Sequence, residues 1–98
     1  MSFMQLIEFE TTDIDEIRRL EEQWYAQTAG RRTIRCQTLA RDRANPNRYV
    51  AIVEFDSYEE AKRNSELPET TATAKAQQAL CRGPLSYTDL DVIEVWVD

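Results

Sequence analysis

Ninety-eight residues make one domain, 1–98, with a thin core and no room for a second. A hydrophobic fraction of 42% and a charged fraction of 31% belong to a folded globular chain, and the net charge of −6 opposes non-specific binding to nucleic acid or anionic membranes. Histidine is absent, which excludes histidine-ligated haem, most catalytic zinc sites and Ser-His-Asp or Cys-His nucleophile systems.

The first segment, Phe3 to Glu10, is aromatic and β-branched enough to predict a strand. Asp13 and Glu16 form a capping box ahead of a helix that carries Ile14, Ile17, Leu20 and Trp24 at helical spacing and stops at Gly30. Arg32 to Asp42 alternates with period two, and Asn45-Pro46-Asn47 is a turn by composition. Tyr49 to Phe55 predicts the second strand of the resulting hairpin. Ser57 and Glu60 start a short helix that Pro68 ends, and Pro68 opens another helix through Leu80, stopped at Gly83-Pro84. Tyr87 to Val97 alternates again and predicts the last strand.

This order is β-α-β-β-α-β with the second helical segment divided. It predicts a ferredoxin-like α+β fold, a four-stranded antiparallel sheet in the order 4-1-3-2 with its helices on one face. If the turn centres on Asn45-Pro46, Val50 lies opposite Arg41, Ile52 opposite Leu39 and Glu54 opposite Gln37. Tyr49, Ala51, Val53 and Phe55 then lie under the helices beside Cys36, Thr38 and Ala40. The open face carries Met4, Leu6, Leu39, Val50, Ile52, Leu90, Val92 and Trp96, an apolar set that suggests a homodimer packed sheet on sheet. Glu8, Glu54 and Glu94 share that face with Arg35 and Arg41 nearby. Pairing with the arginines explains them better than a metal or acid–base site, so no metal is expected.

Ala72, Ala76 and Ala79 give the last helix little packing volume, which leaves space for a pocket beneath it. Phe9, Trp24, Phe55, Tyr58 and Asn64 are the candidate lining residues, each with ordinary core packing as its alternative. Cys36 and Cys81 lack a CxxC spacing and read as two buried free thiols. No signal peptide or membrane span is visible, so a cytoplasmic protein is expected.

Arg48 to Phe55, followed by Asp56-Ser57-Tyr58-Glu59-Glu60-Ala61, resembles the third strand and second helix of an RNA-recognition motif, which would imply an RNA binder. At its two base-stacking positions, however, stand Val50 and Ile52, which cannot stack on bases. The same stretch with Asn64-Ser65-Glu66-Leu67-Pro68-Glu69-Thr70 and the Ala-rich helix resembles, over essentially the whole chain, the antibiotic-biosynthesis-monooxygenase-like group of dimeric α/β barrels. That resemblance implies two ferredoxin-like subunits packed face to face, with a ligand cavity between sheet and helices. It also implies oxidation of a polycyclic aromatic substrate by O2 without a cofactor, with Asn, Trp and Tyr side chains at work. Haem-degrading members use a histidine that this chain lacks. Expected partners are therefore a second copy and an apolar or aromatic small molecule. The alternative from another class is a non-catalytic dimerisation or interaction domain.

Overall fold

The computed structural model describes residues 2–98. Strand β1 spans Phe3–Glu10, helix α1 Ile14–Gln27, β2 Ile34–Arg41, β3 Arg48–Phe55, α2 Tyr58–Glu66, α3 Pro68–Ala79 and β4 Ser86–Asp91. The strands form one antiparallel sheet in the order β2-β3-β1-β4, with β1 and β3 central. This is the ferredoxin-like α+β arrangement, with the three helices covering one face.

Local chemistry accounts for the helix ends. Asp13 accepts a hydrogen bond from the Glu16 N–H at 3.4 Å, and Ser57 does the same for Glu60 at 3.2 Å, each satisfying an orphan donor of the first turn. Glu16 does not complete its capping box; its carboxylate pairs with Arg19 instead. Gly30, at φ +80°, takes the left-handed conformation that turns the chain after α1.

The core is two small clusters under the helices. Phe3, Val53 and Phe55 form one; Phe9, Ile17 and Tyr49 form the other, with the Phe9 and Tyr49 rings stacked 5.7 Å apart. Alternation along β3 is complete: Tyr49, Ala51, Val53 and Phe55 are buried, while Val50, Ile52 and Glu54 are not.

Strand β2 reverses the expected facing. Arg41 lies opposite Tyr49, Leu39 opposite Ala51 and Thr38 opposite Ile52, so the hairpin is centred on Asn45 rather than on the Asn45–Pro46 bond. Asp42 causes the shift. Its Oδ1 accepts the Ala44 and Asn45 N–H groups at 2.8 and 3.3 Å, and the Asp42 N–H donates to the Arg48 carbonyl at 2.9 Å. A slip of one residue turns every side chain of a strand over. Leu39, expected on the open face, therefore packs against the Phe9, Ile17 and Tyr49 cluster, and Gln37 also lies on the helical side. Cys36 is exposed rather than buried, while Cys81 is half-buried. A bulge between Ile34 and Cys36 returns Ile34 to the helical side, opposite Phe55.

The last strand is shorter than its alternation suggests. β1 has run out where Phe3 pairs with Asp91, and the Val92 N–H makes one further bond to the Ser2 carbonyl. Beyond it the chain has no neighbouring strand, so Trp96, expected in β4, lies outside it and is 86% exposed. No helix among the described residues is long and apolar enough to cross a membrane.

The register makes a direct prediction. Leu39→Ala should lower the urea-unfolding stability by about 1–2 kcal/mol, below the ~2–5 kcal/mol of a fully buried leucine because Leu39 is half-buried. Thr38→Ala, facing outward, should change it by less than about 0.5 kcal/mol. The reverse ranking would restore the other pairing.

Candidate functional site

Between the helical layer and the sheet lies a half-open cavity of about 610 Å³. Phe3, Ile7, Val53 and Phe55 form its floor on the two central strands, and Trp24 of α1 forms a wall. The roof is α3, which presents Thr70, Ala74 and Gln77, one face at i, i+4 and i+7. Pro68 at the first helical position sets this phase. The expected inward alanines, Ala72, Ala76 and Ala79, do not line the cavity. Short side chains on α3 still explain the space, but they are largely threonines.

Four of the five candidate pocket residues meet here: Trp24, Phe55, Tyr58 and Asn64. Phe9 does not, because it lies in the other core cluster with Ile17 and Tyr49. Trp24 is fixed at both ends of its side chain: the indole is buried, and its Nε1–H donates to Thr70 Oγ1 of α3 at 2.9 Å. Arg31 supports the same junction by pairing with Glu69 at the start of α3. Tyr58 sets its ring edge-on against Phe3, 5.5 Å between centroids, and remains half-exposed at the cavity mouth.

Asn64 is 7% exposed. Its Oδ1 accepts the Thr33 N–H at 3.2 Å, which fixes the amide orientation and leaves Nδ2 as a donor with no partner among the described residues. Gln77, also buried, lines the cavity without a side-chain hydrogen bond among the described residues. Elsewhere, buried polar side chains are committed. Thr11 Oγ1 donates to the Leu80 carbonyl at 2.7 Å, and Thr28 Oγ1 donates to the Trp24 carbonyl at 2.7 Å. Uncommitted amides are thus found at the cavity, where a bound molecule can satisfy them.

Sequence reasoning missed the floor residues Phe3, Ile7 and Val53, Gln77 of α3, and the pair Glu21 and Gln37. Gln37 Nε2 donates to Glu21 Oε2 at 3.0 Å, and this pair, with Trp24, separates the cavity from a second, more charged hollow between α1 and β2. Burial pushes the Glu21 carboxyl above its ordinary pKa, and the hydrogen bond from Gln37 offsets part of the shift. Glu21 lies three residues before Trp24 on the same helical face, a spacing that could have marked it. Gln37 was hidden by the strand slip. Among the described residues, no cluster of three or more metal-ligating side chains occurs.

On the open face, Glu8 pairs with Arg48 at 2.8 Å, not with Arg35 or Arg41. Arg35 pairs with Asp56, and Arg41 lies over the Tyr49 ring.

No family model matches the chain, and no curated protein sequence does. Solved structures do. SnoaB, a cofactor-independent oxygenase from Streptomyces nogalater, superposes with a TM-score of 0.81 at 18% identity, over 99% of this chain and 98% of SnoaB. Rv0793 from Mycobacterium tuberculosis gives 0.79 at 13% identity, covering 97% and 98% of the two chains. An antibiotic biosynthesis monooxygenase gives 0.75 at 17% identity, covering 96% and 100%. The chain has the fold of the antibiotic biosynthesis monooxygenases. At these identities the likeness extends to the backbone path, and the site must be argued from its own residues.

The raised carboxyl predicts a pH-dependent stability. Between the ordinary carboxylate pKa and the raised one, the native chain holds more proton at Glu21 than the unfolded chain does. Stability from this group therefore falls as pH rises through that window. Glu21→Gln should raise Tm at pH 7, and the gain should vanish below the ordinary carboxylate value. Thermal melts at stepped pH read this directly; a gain independent of pH would assign it to packing instead.

Proposed function

We propose that this protein binds an aromatic small molecule in the cavity between sheet and helices and oxidises it with O2 without a bound cofactor. The observation that carries the reading is the cavity itself. Its volume of about 610 Å³ falls within the roughly 300–1,000 Å³ of small-molecule sites, and it combines an apolar floor with a few uncommitted polar groups. Phe3, Trp24, Val53 and Phe55 supply flat apolar walls suited to fused rings. Asn64 Nδ2 and the Gln77 amide orient a carbonyl or phenolic oxygen. The fold shared with a cofactor-independent oxygenase supports the chemistry.

The working unit is a homodimer. Met4, Leu6, Val50, Ile52 and Leu90 share the uncovered sheet face, and Ile93, Val95, Trp96 and Val97 stand exposed beyond β4. A second copy would cover both. The purely structural alternative, a dimerisation domain without chemistry, is favoured by this surface alone and gives the cavity no role.

Two measurements check these statements. A panel of anthrones and polycyclic phenols should raise Tm and be consumed only in air, with Asn64→Ala and Trp24→Ala weakening both effects. Inertness across the panel, with no shift in Tm, would leave the dimerisation domain. Light scattering at micromolar concentration should give twice the monomer mass, and removing residues 92–98 should shift the population toward monomer; a monomeric full chain would refute the dimer.

A further inference from the structure

We propose that Glu21 is the proton acceptor of the cavity, ionising a weakly acidic aromatic substrate at Oε1 before O2 reacts. The proposal rests on the oxidase reading of the cavity and assigns the step that reading leaves open. Neutral aromatic molecules give up electrons to O2 slowly, whereas their carbanions or phenolates do so readily, so a cofactor-free site needs a base. Two carboxylates line this cavity, Glu21 and Asp89. Asp89 is exposed and accepts a hydrogen bond from Gln5 at 2.9 Å. Glu21 is half-buried beside Trp24, its Oε2 is held by Gln37, and its Oε1 has no partner among the described residues. Gln37 thereby orients the carboxylate and leaves one oxygen for a proton. Burial that raises its basicity brings a carboxylate nearer to the acidity of such substrates.

The surroundings also fit an anionic intermediate. The chain's only lysines, Lys62 on α2 and Lys75 on α3, line this same cavity, and neither is ion-paired among the described residues, although the protein carries a net charge of −6. In the hollow on the other side of Glu21 the charged neighbours are Arg18, Glu22, Arg32 and Arg35. The negative charge that Glu21 loses on taking the proton reappears on a substrate in a cavity whose lining includes two exposed lysines.

For a ring methylene flanked by aromatic carbons, the step balances as follows. Glu21 takes one C–H proton, and the carbanion passes one electron to O2. The radical and superoxide combine to form a C–O bond, and Glu21 returns its proton to the distal oxygen, giving a hydroperoxide. Glu21 then removes the second C–H proton as the O–O bond breaks, leaving a ketone and hydroxide, which that proton converts to water. The methylene and O2 become a carbonyl and one water, with carbon oxidised by four electrons and oxygen reduced by four.

The test is an anaerobic absorption titration with an anthrone that is neutral when free at the working pH. The wild-type protein should bind it and produce the absorption band of the anion. Glu21→Gln should bind with a Kd within about threefold and give no band, and in air its turnover should fall by about 10²–10⁴-fold. Glu21→Asp, which keeps a carboxylate, should restore part of the band; it also serves if the glutamine variant folds poorly. A band of equal strength in Glu21→Gln, or binding to the wild type without a band, overturns the role of Glu21 and leaves the cavity reading intact. No binding to the wild type overturns both.

Discussion

The side chain of Asp42 has a reach out of proportion to its size. By accepting the N–H groups of Ala44 and Asn45 it folds the β2–β3 connection about Asn45 and fixes which edge of each β2 residue meets β3. Every later contact on the helical side of β2 follows. Leu39 fills the space beside Ile17 and Tyr49, and Gln37 arrives beneath α1 within hydrogen-bonding distance of Glu21. With the opposite parity, Cys36 and Thr38 would lie there, and neither could bring an amide to that carboxylate.

The helical layer divides its polar groups into two kinds. Those that hold the architecture are committed: Thr11 to the end of α3, Thr28 to α1, and Trp24 Nε1 to Thr70 across the α1–α3 contact. Those around the cavity are only half committed, with Asn64 and Glu21 each using one atom on the protein and keeping another free. Tying down one end of a polar side chain lowers the cost of ordering the other when a ligand arrives. The spare atoms are not sealed from solvent: among the described residues no buried side-chain nitrogen or oxygen lacks a hydrogen bond, so the arrangement carries no penalty for an unsatisfied buried group.

The element order, the sheet topology and four cavity residues, Trp24, Phe55, Tyr58 and Asn64, were legible in the sequence because they depend on local signals. Capping residues, Pro68, and the alternation of Tyr49, Ala51, Val53 and Phe55 each act within a few residues of themselves. What was not legible depends on counting across a turn. Asn45-Pro46-Asn47 announces that the chain reverses, but only the side-chain bonds of Asp42 determine whether an odd or an even number of residues does so, and that parity decides the faces of Gln37, Leu39 and Cys36. The inward face of α3 was obscured differently: with so many small residues, its sequence has almost no amphipathic contrast from which to read a phase. At the C-terminus, alternation continues to Val97 while pairing stops at Asp91, since a strand pattern describes a preference and a strand also requires a neighbour.

Strand β1 is central, bonded on one side to β3 and on the other to β4, so Phe3 meets Asp91 from opposite ends of the chain. The first strand in chain order therefore depends on the last for its second partner. Until β4 docks, one edge of β1 remains open, with Ile7 beside an unfinished sheet. The sheet thus closes only when β4 joins it, through pairs of high sequence separation whose loop-closure cost comes before their reward.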